Sequence, residues 1–366
     1  MALRLQVGGT GFLPRSRASA RTRRLTAVRT LILLLLVASA VPCAEAPRLY
    51  SELSTVRRGY KLIWRNPGAV ERVDFRFGIG GPRLQPRPPF RFLKEDTAGT
   101  NPKVHVRDAK GREWAVKFGP EASPDTFCTR LAWAVGYYAE PTYYVAQGAI
   151  RGARELKRAR NFIDARGRFT GARFQLRSRY PEFLQGVDWG WEENPFLGTH
   201  ALNGLKVMMM LVSNWDAKDI RDTRKHPDNT NTAIYREGNA YIFFVDDWGA
   251  AMGNWGHYFS RTKWDPVDYY HESARFVRGI KDGRIEWGFK GKHTGDLENG
   301  IVVGDIQWLL RYLGRVTDAQ LRTGLLWSGA TEDEAHVFAD ALRQRIRELQ
   351  DLSDYRSYGN LADPSR

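Results

Sequence analysis

Hydrophobic and polar positions change their period several times along this chain, and each change marks an element. From Phe90 the period is two: "FRFLKED", "KVHVRD" and "REWAVKFG" alternate, with turn residues at 97–102 and 109–111 between them. Strand side chains point alternately to opposite faces, so this texture predicts an antiparallel meander. In "SPDTFCTRLAWAVGY" the spacing becomes helical. Ser123 is placed as an N-cap, Pro124 as the first helical residue, and Phe127, Leu131, Ala134 and Val135 fall on one face. Gly136 predicts the helix end near Tyr138, and "TYYVAQGAI" and "ARFQLRSR" read as further strands.

The second half is mainly helical in pattern. "ALNGLKVMMMLVSNWD" (201–216) is apolar nearly all round, which predicts a buried helix. "TAIYREGNAYIFFVDD" predicts a hairpin with strands at 232–235 and 241–245 and a turn at 237–239. Residues 250–300, rich in Gly, Trp and His, read as a long ordered loop region. "DIQWLLRYLG" reads as a helix. "TDAQLRTGLLW" and "TEDEAHVFADALRQRIRELQ" open with the capping boxes Thr317…Gln320 and Thr331…Glu334. The order predicts an α+β fold: a small antiparallel β lobe and a larger, mainly helical lobe. The expected divisions are 1–46, a leader; 47–89, an extension; 90–146, β-rich with one helix; 147–355, mainly helical; and 356–366, a loose tail. Pro82, Pro86, Pro88 and Pro89 make the extension an extended connector, and its glycines lack the spacing of a phosphate loop.

Composition adds a core and a leader. Hydrophobic residues make up 42% of the 366, aromatics 12%, which excludes a disordered chain. The net charge of +15 is uneven: seven arginines and no acid fall in residues 1–30, and beyond residue 40 the balance is 49 basic to 41 acidic side chains. An apolar run at 31–41 follows the arginines, then small residues. That is the pattern of an export signal cleaved near Ala40 or Ala46, giving a periplasmic or extracellular protein. The run is shorter than the roughly 20 residues that span a bilayer, so no stable transmembrane anchor is expected. With Cys43 removed, Cys128 has no internal disulfide partner. No zinc spacing appears, and no basic-aromatic module points to nucleic acid.

A few short polar stretches carry the candidate chemistry. Lys117 in "WAVKFG" shares a strand face with Ala115, opposite Trp114 and Val116; alone it is also an ordinary strand lysine. Asp125, near the start of the next helix, can pair with Lys117 or simply meet the helix dipole, and Glu121 is a second partner. "SNWDAKD" follows the buried helix, with Asp216 and Lys218 in Asp-x-Lys spacing. Asn229 and Asn231 follow in "DNTNTAIY". "FFVDDWGAAMG" ends an apolar strand on Asp246 and Asp247; it is either a capped strand exit or the place of a metal-holding acid. A cation, a metal-binding acid and an acceptor-orienting acid are what phosphoryl transfer requires. An acid pair for hydrolysis, Asp216 with Asp247, is the other chemistry these residues allow.

"EASPDTFCTRLAWAVGYY", "LNGLKVMMMLVSNWDAKD" and "FFVDDWGAAMG" resemble a family of exported bacterial proteins. That family is itself similar to the atypical kinases, the group that includes HipA-type and phosphatidylinositol kinases. The similarity runs over about 75–349. It implies a two-lobed, protein-kinase-like fold that binds ATP or another nucleotide with Mg²⁺ and transfers phosphate to a protein, glycan or lipid. It implies Lys117 as the phosphate lysine and Asp125 as its partner. Asp216, with Lys218, would be the catalytic acid. Asp247, with Asn231 or Asn229, would hold the metal, and the "AGTNPK" turn with Gly99 and Lys103 would lie over the phosphates. The same fold without transfer would make a pseudokinase binding module.

Overall fold

The computed structural model describes residues 59–97, 101–177, 182–217, 231–256, 260–281, 284–292 and 294–359. The chain divides into units 1–51 and 52–366, and every described residue belongs to the second. The leader, Gly99, Lys218 and Asn229 lie outside the described residues. Among the described residues no helix is long and apolar enough to cross a membrane. The fold is α+β.

Its strand-rich part is a closed barrel of β2 (Phe90–Asp96), β3 (Lys103–Arg107), β4 (Glu113–Phe118), β6 (Arg168–Arg177) and β5 (Thr142–Arg151), in that spatial order. The pairs are antiparallel except the closing one, where β2 meets β5 in parallel through Phe90 and Ile150. The expected meander is therefore present but rolled shut, and the strand-rich part runs on to Arg177 instead of stopping at 146. Val104, Val106, Trp114, Val116, Phe118, Phe169 and Phe174 fill the interior. By strand alternation the neighbours Lys117 and Arg173 then face outward.

Helix α1 (Ala122–Ala134) follows β4 and packs on β5 and β6. It starts earlier than the Ser123–Pro124 signal suggests: Glu121 occupies the cap position, and its side chain caps nothing. Pro124 is tolerated because N–H groups in a first helical turn have no helical acceptor anyway. Gly136, at φ +106°, turns the chain after the helix.

A second sheet has the order β1 (Tyr60–Leu62), β9 (Ala240–Val245), β8 (Thr232–Glu237), β7 (Glu182–Phe183). The predicted hairpin is β8–β9, and β1 joins it in parallel, drawing the extension into the fold. Helix α2 (His200–Leu211) is buried along Leu202–Leu211. Residues 250–300 hold more than a loop: α3 (Pro266–Glu272), the hairpin β10 (Val277–Lys281) and β11 (Arg284–Trp287), and α4 (Thr294–Glu298). Helices α5 (Val303–Leu313), α6 (Asp318–Leu326) and α7 (Glu332–Gly359) complete the chain. Both capping boxes form: Gln320 N–H donates to Thr317 Oγ1 and Thr317 N–H to Gln320 Oε1, with the same exchange between Thr331 and Glu334. Helix α7 extends four residues into the expected tail.

One buried cation fixes where α2 ends. Arg345 of α7 donates to the carbonyls of Met210 (3.0 Å) and Leu211 (2.6 Å) and to Ser273 Oγ (2.8 Å). Carbonyls in a last helical turn lack intrahelical partners; here the guanidinium meets both, beside Ser213 N–H on Met210 and the Tyr269 hydroxyl on Leu211. The chain leaves this clamp directly into Asn214-Trp215-Asp216.

Candidate functional site

Cross-strand register brings the site together on the outer face of the barrel. Lys117 lies directly opposite Lys103 on one side and Arg173 on the other, and Asp96 lies opposite Lys103. Directly paired residues share a face, and like charges so paired repel. The row therefore needs anions. Asp96 takes Lys103 at 3.6 Å. Lys117, buried at 3% exposure, is met by three carboxylates: Asp125 Oδ2 at 3.0 Å, Asp247 Oδ2 at 3.0 Å and Glu121 Oε2 at 3.2 Å. Arg173 Nε lies 3.2 Å from the same Asp125 oxygen, and Lys263 pairs with Glu121. Three cations thus face three acids, and the cluster is neutral overall.

Backbone geometry locks the two acids expected here. Asp125, in the first turn of α1, accepts from Trp248 N–H (3.1 Å), which ties the helix to the turn after β9. Asp247 Oδ1 accepts from Gly249 N–H at 2.8 Å. A Cβ on Gly249 would sit 2.7 Å from Glu121 Cβ and 2.9 Å from Asp247 Oδ1, so the turn needs glycine for space.

The Asp216 segment is bound into the same place. Asn231 Nδ2 donates to the Asp216 carbonyl (2.6 Å), while the Asn231 carbonyl accepts from Asp246 and Asp247 N–H. Asn231 has φ +58°, a conformation asparagine tolerates. Asn214 Nδ2 donates to the Asp247 carbonyl at 3.3 Å. The carboxylate of Asp216 pairs with Lys292 Nζ at 2.7 Å. Lys117, Asp125, Asp247, Asp216, Asn231 and Lys103 are therefore one neighbourhood.

The charges set the protonation states. Burial works against a charged Lys117, but Asp125 and Asp247 overcome it and raise its pKa. Burial likewise pushes Asp247 up, yet Lys117 and the Gly249 N–H hold it well below the usual carboxylate range. Asp125 is pushed up, burial outweighing Arg173 and Lys117. Asp247 keeps 34% of its side chain exposed, so the cluster opens to solvent on that side.

A second buried acid lies next door. Glu140 pairs with the Tyr235 hydroxyl and lies 3.6 Å from Arg177, while its Oε2 has no hydrogen-bond partner. Burial first, then the Asp246 carboxylate, pushes Glu140 up to about 8, above Arg177's opposing pull. The folded state then binds a proton that the unfolded state has released. Stability from this group is full below pH ~4.5 and lost as pH rises through about 8. Melting curves from pH 5 to 9 are expected to show this decline, and Glu140→Gln to flatten it.

Arg173, Lys263, Lys292 and Asn214 were not expected from the sequence. Arg173, Gln175 and Arg177 alternate with apolar residues, a period-two signal that marks a polar strand face. Lys292 lies 76 positions from Asp216, with no local signal linking the two. No family model, no curated protein and no solved structure matches this chain.

Proposed function

We infer that this chain is an exported, kinase-like phosphotransferase that binds a nucleoside triphosphate with Mg²⁺ and passes phosphate to a protein, glycan or lipid. What supports this most is the meeting of Lys117, Asp125 and Asp247, from a strand, a helix start and a strand exit, on one ammonium group. In this reading the barrel with α1 is the smaller lobe of a kinase-like pair and the α2–α7 region the larger. Lys117 and Lys103 take the phosphates, and Asp125 holds Lys117 in place. Asp216 receives the acceptor's proton. Lys218, Gly99 and Asn229 belong to the same reading.

The donor set fits Mg²⁺, an ion that takes one or two protein oxygens and leaves the rest to phosphates and water. Asp247 is ionised and a third exposed. Asn231 would offer Oδ1, since its Nδ2 donates to Asp216. Bound there, the ion would neutralise charge on the phosphates. Hydrolysis by an Asp216–Asp247 pair has less support, because each carboxylate is held by a lysine ammonium, Asp247 by Lys117 and Asp216 by Lys292, which opposes the protonated acid such a pair needs.

One observation favours a second reading, a nucleotide-binding module without transfer: the carboxylate of Asp216 is already paired with Lys292. Binding comes first in both. MgATP at a hundredfold above its Kd is expected to raise unfolding stability by about 2.7 kcal/mol. Asp247→Ala is expected to abolish that gain. No gain in the wild type would overturn both readings.

A further inference from the structure

Glu121 has two cations. Its Oε2 meets Lys117 at 3.2 Å, and its Oε1 meets Lys263, which comes from a segment 142 positions later. Lys263 has a second contact: its ammonium sits 5.2 Å from the ring centroid of Trp215. The same segment grips that ring elsewhere, because Trp215 Nε1 donates to the Thr262 carbonyl at 3.1 Å. Trp215 is the residue before Asp216, and its own carbonyl accepts from the N–H of Lys292, whose ammonium holds Asp216. A continuous path therefore runs Lys117–Glu121–Lys263–Trp215–Asp216. Glu121 is buried at 4% and Trp215 at 5% exposure, and the Lys263 side chain that joins them keeps 23%.

We propose that Lys263 is a positioning residue that couples the Lys117 cluster to the Asp216 segment through Glu121 and Trp215. Lys263 touches neither candidate reacting group; it acts through the two residues it joins. The carboxylate leg is charged and directional, and the ring leg is a cation–π contact that either cation type can make. Methionine at 263 keeps the length and apolar stem and removes both legs. It also leaves Lys117 and Arg173 facing three acids, which adds a negative charge beside any phosphate. Arginine restores charge and ring contact together.

The catalytic consequence rests on the function inferred above, whereas the coupling does not, and the experiment separates them. Trp215 emission is defined by subtracting Trp215→Phe from each background, in the ligand-free chain. Lys117→Met, or Glu121→Gln where the first does not fold, is expected to shift Trp215 emission when Lys263 is present. In Lys263→Met the same substitution is expected to leave Trp215 unchanged, and in Lys263→Arg the shift returns. Equal shifts in the Lys263 and Lys263→Met backgrounds, or no shift in either, would overturn the coupling. If phosphate transfer is observed, Lys263→Met is expected to lower it by about 2- to 30-fold, the range of network couplings, with rescue by Lys263→Arg. A coupled Trp215 in a chain that binds no MgATP would sink the function and leave the coupling standing.

Discussion

Lys117→Met is expected to cost about 3–5 kcal/mol of stability at pH 7, the range for removing one partner from a buried ion cluster. The reason is what stays behind. Asp125 and Glu121 are buried at 1% and 4% exposure, and Asp247 is partly so. Arg173 still faces Asp125 and Lys263 still faces Glu121, but Asp247 loses its only cation within 4 Å among the described residues. Uncompensated carboxylates in a poorly hydrated place relieve themselves by taking up protons. The variant's deficit should therefore shrink as pH falls from 7.5 to 5. Urea unfolding at the two pH values checks this. A loss under about 1 kcal/mol, the same at both, would mean that the ammonium does not hold these acids together. The same substitution should remove the MgATP-dependent gain, and Lys117→Arg, with its bulkier planar head, should not fully restore it.

Much of this cluster is legible in the sequence. Alternation in "WAVKFG" puts Lys117 opposite Trp114 and Val116, and the barrel interior does hold those two. Asp125 sits in the first helical turn, as "SPDTF" suggests. The Asp246–Asp247 step ends a strand, and the odd-even rule sends them apart: Asp247 to Lys117, Asp246 to Gln175 at 3.2 Å. What stayed hidden is long-range register. The parallel closure of β2 on β5 depends on two ends of a meander meeting, and no local residue encodes that. The helix start misled because two forces compete: Ser123 and Pro124 fit an N-terminal pattern, but Glu121 takes the cap position while its carboxylate serves two lysines. Hairpin β10–β11 was missed although Asp282-Gly283 is a turn signal, since the flanking alternation is only about four residues long. The glycine and proline stretch at 77–90 lacks the spacing of a phosphate loop, and the extension around it is more than a connector: Gln320 Nε2 donates to the carbonyls of Val70 and Val73.

Register also explains why the site is so charged. Lys103, Lys117 and Arg173 line up across three neighbouring strands, an arrangement that costs stability unless anions stand beside it. The fold supplies Asp96, Asp125, Glu121 and Asp247 in answer. An anion arriving at the exposed side of Asp247 would compete with that carboxylate for Lys117. A divalent cation arriving with it would free the lysine by taking the carboxylate for itself. A triphosphate alone would bring about four negative charges to that neutral cluster, and Mg²⁺ would cancel about two of them. Binding of ATP is accordingly expected to need Mg²⁺.

Asp216→Asn separates transfer from binding. The carboxylate is 32% exposed and its ion pair with Lys292 is near the surface, so the stability lost is expected to be at most about 1 kcal/mol. The backbone that places the residue is untouched: the Asp216 N–H to Asn214 Oδ1 at 3.3 Å and the Asp216 carbonyl to Asn231 both remain. Among the described residues the Lys117 cluster shares no hydrogen bond or ion pair with the Asp216 carboxylate, so the MgATP-dependent stabilisation should survive. What disappears is the acceptor for a hydroxyl proton, a contribution of about 10²- to 10⁴-fold to a positioned proton transfer. In a labelled-ATP assay, transfer is expected to fall by that factor while nucleotide binding stays at the wild-type level. Full transfer by Asp216→Asn would remove Asp216 from the chemistry. If wild type and variant bind MgATP equally and neither transfers, the ion pair with Lys292 is the resting and final state of that carboxylate, and the binding-module reading takes the place of the enzyme.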